Sequence, residues 1–244
     1  MRRELWAVTR GTNSCASTSS IASGWRNAGF VHVDAKDNSR LATPVHSYDG
    51  KPVPVPLDAY RGQEIIAAAS SVCASASDMA KWISFILNMG KNQNNEQVVA
   101  DDALMSTFRS VQTRNGDDTR TAGFSQPTIQ VSYTRDSNAL GWIKGHYRGY
   151  PFISQDGSLP GYETLTTILP KRNVGVFTAF TGDGGARAYA AKTLTNIFAL
   201  DLLLHGQPWF DANSVCNTMD KMVDVTMASE ERPSYVGRTS EAVR

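Results

Sequence analysis

Short apolar segments joined by tight turns fill the stretch from about residue 139 to residue 180 and constrain the fold more than any other feature. Alternation and β-branched residues predict strands at about 139–146, 150–155, 162–169 and 174–180. The connections between them, such as residues 147–149 and 170–173, are too short for the crossover that parallel strands need. The sequence therefore predicts an antiparallel sheet in this part of the chain.

Helical patterns lie before and after this sheet. We expect a helix at about 77–89, where Ser75 and Asp78 fit a capping box and Gly90 is a suitable stop. Its apolar face consists of Met79, Trp82, Ile83, Ile86 and Leu87. Two more helices are expected near 101–108 and at about 186–205, the second being a candidate cover for the strand 174–180, which is apolar on both faces. The fold class that follows is α+β, an antiparallel sheet flanked by helices.

The chain divides into three parts by composition. Residues 1–40 are rich in Ser, Ala and Asn without periodicity, and we expect them to be poorly ordered. Residues 41–206 carry the patterned elements, beginning with a proline-rich extended loop whose turn signal is Tyr48-Asp49-Gly50. Residues 114–126 are polar and predict an exposed loop, and residues 207–244 lose the pattern and predict a weakly ordered tail.

Charge and hydropathy exclude several function classes. Lys and Arg number 24 against 23 Asp and Glu, so the formal net charge of +1 gives no argument for binding nucleic acid or an anionic membrane. The longest apolar runs are far too short to span a bilayer. Residues 1–6 have the basic start of a signal peptide without the apolar core that should follow, so this N-terminus does not itself support secretion.

Metal and cofactor sites are not predicted. The cysteines Cys15, Cys73 and Cys216 follow no metal spacing and are interpreted as buried or incidental thiols, with one disulfide and one free thiol as the alternative. The histidines His32, His46, His146 and His205 share no ligand spacing either. Two acidic pairs, Asp101-Asp102 and Asp117-Asp118, could hold Ca²⁺ or contact mineral, but adjacent loop aspartates are more often solvated.

Three sequence blocks carry a family resemblance. The first is residues 67–82, a run of small residues followed by Ser-x-Asp-Met-Ala-Lys-Trp. The second is Leu-Gly-Trp at 140–142, and the third is Ser-Gln-Asp-Gly-Ser-Leu-Pro-Gly-Tyr at 154–162, followed by Thr-Gly-Asp-Gly at 181–184. In this order they resemble the C-terminal part of serine β-lactamases of class C and of penicillin-binding proteins. Invertebrate β-lactamase-like proteins, including the gigasin-type proteins of mollusc shell matrix, are the relatives they resemble most.

The resemblance implies a particular chemistry. Active members acylate the serine of a Ser-x-x-Lys motif, manage its proton with that Lys and a Tyr-x-Asn motif, and carry Lys-x-Gly or His-x-Gly as a third motif. This sequence contains no Ser-x-x-Lys and no Tyr-x-Asn, and its third motif reads Gln155-Asp156-Gly157. A glutamine forms hydrogen bonds but does not titrate near neutral pH. We therefore assign no catalytic residue in this chain.

Two alternatives stay open at the candidate site residues. Gln155-Asp156-Gly157 could instead be the end of a strand followed by an Asp-Gly turn. Residues 181–185 precede a helix and are interpreted as a strand-to-helix turn rather than a phosphate-binding loop, because the Gly-Lys ending of a P-loop is absent. In the family this loop borders the active site, which makes Arg187 a candidate contact for a substrate carboxylate, while a surface arginine is the alternative.

Two hypotheses of function follow. The first is a non-catalytic β-lactamase-like protein with a structural or binding role, in an extracellular or shell matrix, with a small molecule or a matrix component as partner. Secretion is implied by the resemblance only, and the oligomeric state is open. The second is a fragment of an active serine hydrolase that acts on amide or ester bonds.

Overall fold

The computed structural model describes residues 24–25, 28–31, 41–60, 70, 72–114, 121, 124, 129 and 131–230. The chain divides into two compact units, which are described separately. The first unit comprises Met1–Ser106, Gly157–Tyr162 and Ala179–Asp183, and the second comprises Thr107–Asp156, Glu163–Thr178 and Gly184–Arg244.

The described residues form ten strands and four α-helices. The strands are β1 (Ala28–Phe30), β2 (Val45–Tyr48), β3 (Lys51–Pro54), β4 (Val72–Ala74), β5 (Gln112–Thr113), β6 (Ser137–Asn138), β7 (Ile143–Tyr147), β8 (Tyr150–Leu159), β9 (Tyr162–Leu169) and β10 (Val174–Thr181). The helices are α1 (Ala76–Leu87), α2 (Asp101–Thr107), α3 (Ala186–Leu203) and α4 (Val215–Glu230), and short 3-10 turns cover Leu57–Tyr60 and Pro170–Arg172.

Strands β5 to β10 form the larger sheet, in the order β10-β9-β8-β7-β6-β5. The pairs β5–β6, β6–β7 and β7–β8 are antiparallel, with Ile143 opposite Ser154 and Tyr147 opposite Tyr150. The turn between β7 and β8 places Arg148 and Gly149 at positive φ, as a tight hairpin requires. The predicted α+β class and its antiparallel sheet are confirmed.

Helix α1 belongs to the first unit and begins as the sequence predicts. The Ser75 side chain accepts a hydrogen bond from the Asp78 amide at 3.2 Å, which satisfies one free donor of the first turn. The Asp78 carboxylate is buried and accepts a hydrogen bond from the Lys81 ammonium at 2.8 Å. Trp82 packs as expected, with its ring 5.6 Å from that of Phe85 and 5.9 Å from that of Trp25.

Residues 41–60 contain more regular structure than the predicted extended loop. Strands β2 and β3 pair as a hairpin around the expected turn, where Asp49 and Gly50 both have positive φ. The expectation of a poorly ordered segment at 1–40 is wrong for Ala28–Phe30, which form β1 and pair with β4. Backbone hydrogen bonding to a distant strand, rather than any local pattern, specifies this short element.

The core of the second unit lies between its part of the sheet and α3. Tyr147, Phe152, Leu169 and Val176 of the strands meet residues of α3. The α3 residues in this cluster are Ala190, Leu194, Ile197 and Leu200. Helix α3 therefore covers the sheet as predicted. Asp201, which is buried on α3, accepts a hydrogen bond from the Tyr147 hydroxyl at 2.9 Å and pairs with Arg148 at 2.8 Å.

Helix α4 corrects the prediction of a weakly ordered tail at 207–244. Phe210 and Met222 belong to the same core cluster, and Met219 and Val223 pack against it. Apolar residues recur at helical spacing between 215 and 226, but exposed charges between them lower the average hydropathy and hide the pattern. Residues 231–244 lie outside the described part of the chain.

Several other predictions also concern residues outside the described part. These are Cys15, His32, Asp117, Asp118 and most of the predicted loop 114–126. Cys73 is half-buried and Cys216 is exposed, and the two are not joined by a disulfide. Every helix in the described ranges is too short or too polar to cross a membrane.

Candidate functional site

Gln155, the first residue of the third motif, lies within β8. The strand continues through the motif to Leu159, so the alternative of a strand end followed by an Asp-Gly turn is wrong. The Gln155 side chain is exposed, and its Nε2 donates a hydrogen bond to the Asp156 carbonyl at 3.2 Å. The Gln155 carboxamide therefore lies on the exposed face of β8. Its Oε1 atom and its second Nε2 hydrogen can form hydrogen bonds with another molecule there.

Asp156 points to the opposite side of β8, because successive residues of a strand alternate between its faces. Its carboxylate lies 3.8 Å from an Nη2 atom of Arg135 and 4.0 Å from the Nζ atom of Lys192. Only 19% of the Asp156 side chain is exposed, and each of the two cationic side chains is 3% exposed. Asp156, the middle residue of the motif, therefore interacts with two buried cationic side chains of the second unit.

The two cations have further partners in the second unit. The Lys192 ammonium, on α3, donates to the carboxylate of Glu163 at the start of β9, at 2.6 Å. The Arg135 guanidinium donates to the Tyr189 hydroxyl at 3.1 Å. We call Arg135, Asp156, Glu163 and Lys192 the buried ionic cluster. Its members are two cations and two carboxylates, and pairing of opposite charges is what allows such groups to lie away from water.

A buried tyrosine accompanies this cluster. Tyr133 is buried beside Phe152, with ring centroids 5.3 Å apart. Burial, followed by the neighbouring Tyr189, raises the pKa of Tyr133 well above the usual tyrosine range. Tyr133 therefore stays neutral at physiological pH and contributes packing to this region.

The Pro-Gly-Tyr end of the third block belongs to the first unit and is held by residues 42–60. The Tyr60 hydroxyl donates to the Pro160 carbonyl, and the Tyr162 hydroxyl donates to the Ala42 carbonyl at 2.6 Å. Burial and the neighbouring Tyr162 raise the pKa of Tyr60 to about 12. Gly161 has a φ of +81°, and a Cβ there would come within 2.7 Å of Pro44. This close approach explains why the position needs glycine.

The loop after β10 is also tied to this part of the first unit. Asp183 accepts a hydrogen bond from the Ser47 amide at 2.6 Å and pairs with the His46 imidazole. Strand β10 ends at Thr181 and α3 begins at Ala186, so the interpretation as a strand-to-helix turn is confirmed.

Arg187 lies in the first turn of α3, on the surface. Its guanidinium pairs with the Asp220 carboxylate of α4 at 2.8 Å, and both side chains are more than half exposed. An ion pair of this kind contributes little to stability and can exchange partners. The contact of Arg187 with a substrate carboxylate stays a prediction.

Sequence reasoning missed Arg135, Glu163 and Lys192. Glu163 and Lys192 are charged residues in segments otherwise rich in apolar residues, tyrosine or threonine, which is a signal that a buried partner is required. Arg135 carries no such signal, because polar residues and Asp136 follow it directly. No group of three or more His, Cys, Asp or Glu residues that could hold a metal ion is found in the ranges that the structure describes. His46 and His146 instead pair with Asp183 and Asp136, respectively.

Comparison with known proteins identifies the family. The family model described as Beta-lactamase matches residues 24–199. The chain belongs to the beta-lactamase family. No curated protein matches it in sequence.

Solved structures share the fold of this beta-lactamase-family chain at low sequence identity. The octameric penicillin-binding protein homologue from Pyrococcus abyssi aligns with a TM-score of 0.60 and 16% identity, over 81% of this chain and 38% of that one. A penicillin-binding protein from Bacillus halodurans gives 0.52 and 12%, over 75% and 49%. D-amino acid amidase from Ochrobactrum anthropi gives 0.52 and 10%, over 90% and 52%. This chain therefore spans between 38% and 52% of the length of these structures.

Proposed function

We propose that this chain is a non-catalytic member of the beta-lactamase family that has a structural or binding role. One observation carries the proposal. The first position of the third motif holds an exposed carboxamide, Gln155, which can bind but cannot exchange a proton near neutral pH. The ionisable residue beside it, Asp156, is engaged by Arg135 and Lys192. The sequence also lacks Ser-x-x-Lys and Tyr-x-Asn, so no residue in this chain is proposed as a nucleophile.

An extracellular or shell matrix is the setting that we propose for this role. Its support is the likeness of the three sequence blocks to gigasin-type proteins of mollusc shell matrix. Under this proposal the protein is secreted, and its partner is a small molecule or a matrix component. Detection of its peptides in washed extracellular matrix, and their absence from the cell lysate, is the expected result. Peptides confined to the lysate would contradict the setting without bearing on catalysis.

Serine-reactive probes test the absence of chemistry. We expect neither a fluorophosphonate nor a fluorescent penicillin to label the folded protein, because no serine in this chain has the lysine of a Ser-x-x-Lys motif to take its proton. An active serine hydrolase in the same reaction controls for the probe, and heat-denatured protein controls for nonspecific labelling. Labelling of the folded protein that disappears when a single serine is replaced would overturn the proposal.

A second candidate is a serine hydrolase that acts on amide or ester bonds, of which this chain is one part. The observation that favours it is that the chain spans about half the length, or less, of the solved structures it resembles. The intact mass and peptide coverage of the native protein distinguish the two candidates. A mass well above 26.6 kDa, with peptides that contain Ser-x-x-Lys, would favour the hydrolase.

A further inference from the structure

We infer that the hairpin of β2 and β3 carries a site of spontaneous covalent modification, at which Asp49 isomerises to isoaspartate through a cyclic imide formed with Gly50. The inference goes beyond the proposed function and does not depend on it. It rests on the different surroundings of three aspartates that glycine follows. These Asp-Gly pairs of the sequence are Asp49-Gly50, Asp156-Gly157 and Asp183-Gly184.

The reaction joins an aspartate side chain to the next backbone nitrogen. The Gly50 nitrogen attacks the Asp49 Cγ atom, an N–C bond forms, and a carboxyl oxygen leaves as water. Water then opens the ring at the side-chain carbonyl, which restores aspartate, or at the main-chain carbonyl, which gives isoaspartate. One water leaves and one returns, so the mass is unchanged and no oxidant or reductant takes part. A following glycine favours ring closure because it has no Cβ to crowd the attacking nitrogen.

The structure leaves Asp49 accessible for this reaction. Asp49 and Gly50 form the two-residue loop between Tyr48 and Lys51, which lie opposite each other in the hairpin. Both loop residues are exposed, and their φ angles are +52° and +71°. Apart from the chain neighbours of Gly50, no described atom lies within 4 Å of the position that its Cβ would take. Exposed loop tips open at low free energy, so the ring can close without unfolding of the first unit.

Asp156 lies in a different environment, within β8 of the second unit. Its carboxylate is 3.8 Å from the Arg135 guanidinium and 4.0 Å from the Lys192 ammonium, and both cationic side chains are buried. Ring closure would take the carboxylate away from these two cations, which is unfavourable for buried charges. We therefore expect the folded protein to protect Asp156.

Asp183 is held by the strand of the hairpin that precedes the loop. Its carboxylate accepts a hydrogen bond from the Ser47 amide at 2.6 Å and pairs with the His46 imidazole. Ring closure at Asp183 would break both interactions and leave the Ser47 amide without this acceptor. Asp49 is therefore the aspartate of the three that we expect to isomerise in the folded protein.

Isomerisation would change the hairpin itself. The backbone of isoaspartate passes through Cβ and Cγ, so the loop gains one main-chain atom. A two-residue loop with positive φ matches the twist of the strands that it joins, and a longer loop does not. We expect the pairing of Tyr48 with Lys51 to be lost, and the neighbouring Ser47 amide to exchange its hydrogen faster.

The test compares the three aspartates within one protein sample. The protein is aged at physiological pH and temperature, in buffer and in guanidinium chloride, and isoaspartate is quantified in each peptide by mass spectrometry with electron-transfer fragmentation. In buffer we expect Asp49 to convert at least about tenfold faster than Asp156 or Asp183, a difference of about 1.4 kcal/mol in activation free energy. In denaturant we expect similar rates, because each carboxylate has lost its partners. Circular dichroism confirms that the sample in buffer stays folded.

Two variants of the loop sharpen the result. Asp49→Asn forms the same ring with loss of ammonia, and we expect its conversion to the acid to be detected as a gain in mass. Gly50→Asn keeps a residue that tolerates positive φ but adds a Cβ next to the attacking nitrogen. We expect this variant to slow conversion of Asp49 at least about tenfold. Hydrogen exchange of the Ser47 amide should rise with age in the unmodified protein and stay constant in Gly50→Asn.

Three outcomes would overturn the inference. They are an absence of isoaspartate at Asp49 in buffer when it forms in denaturant, equal rates at the three aspartates of the folded protein, and an unchanged rate in Gly50→Asn. Failure of the proposed non-catalytic role would be recognised separately, by labelling with the serine-reactive probes.

Discussion

Tyr60 shows how a single hydroxyl connects the proline-rich stretch to the third sequence block. Its side chain is fully buried, donates to the Pro160 carbonyl and packs near Tyr162, with ring centroids 5.9 Å apart. An ionised phenolate in this position would lose hydration and would also lie beside the titratable hydroxyl of Tyr162. Folding therefore favours the neutral form of the Tyr60 side chain, which raises its pKa to about 12.

The stability of the protein should consequently fall at alkaline pH. Because the folded pKa lies above the unfolded value of about 10, the contribution of Tyr60 is fully present below pH ~10. It is lost as the pH rises through ~12, and it amounts to at most about 3 kcal/mol. In Tyr60→Phe we expect this alkaline loss to be smaller, as measured by urea unfolding at several pH values. Tyr48→Phe removes an exposed hydroxyl of the same unit and is the control. An identical pH dependence in Tyr60→Phe and the unmodified protein would contradict this.

Only those residues of the candidate site that belong to a sequence motif could be predicted from the sequence. The position of Gln155, Asp156 and Gly157 follows from the third block, but the inward direction of Asp156 does not. Arg135 and Lys192 come from segments distant in sequence, and only the paired sheet and α3 bring them to the same carboxylate. Such convergence depends on tertiary packing, which periodicity does not encode.

At the level of elements, the predicted and observed bounds agree closely at one strand and one helix, β9 and α2. The predicted strand at 162–169 and the predicted helix at 101–108 coincide with β9 and α2 to within one residue. Helix α4 was missed because its apolar residues are diluted by charges on the exposed side. A turn precedes the helix, in which Asp211 accepts hydrogen bonds from the backbone amides of Asn213 and Ser214.

The packing of α4 can be tested with two methionines of the same helix. Met222 is 2% exposed in the core of the second unit, whereas Met227 is 49% exposed. Met222→Ala is expected to lower the free energy of unfolding by about 2 to 5 kcal/mol, because it leaves a cavity. The same substitution at Met227 should change it by less than about 0.5 kcal/mol. Chemical denaturation of both variants measures the difference, and equal effects would show that α4 does not complete the core.

For the whole molecule, the sequence and the structure differ most in where the folded part of the chain ends. The family match ends at residue 199, and the sequence pattern suggested an end at residue 206. The core nevertheless includes Phe210 and Met222. The fold class was predictable because short connections force antiparallel pairing, but the extent of the core was not, because the last helix adds to it through packing alone.

Truncation tests this boundary directly. A chain that ends at residue 206 is expected to lose cooperative thermal unfolding and to aggregate, because removing α4 exposes the apolar surface of α3. A chain that ends at residue 230 keeps every described element and serves as the control. Circular dichroism melts and size-exclusion chromatography compare the two. A monomeric and cooperatively melting 1–206 chain would place α4 outside the stable core.

The balance of charge behind β8 also has a consequence for motif transplantation. A chimera that imported the third motif of a catalytic relative would replace Asp156 together with Gln155. It would take away the carboxylate that lies 3.8 Å from the Arg135 guanidinium and 4.0 Å from the Lys192 ammonium. The graft would then lose one counter-charge of two buried cations in the second unit, which destabilises the host fold. An exchange of the third motif would therefore have to include positions 135 and 192, which are distant from the tripeptide in sequence.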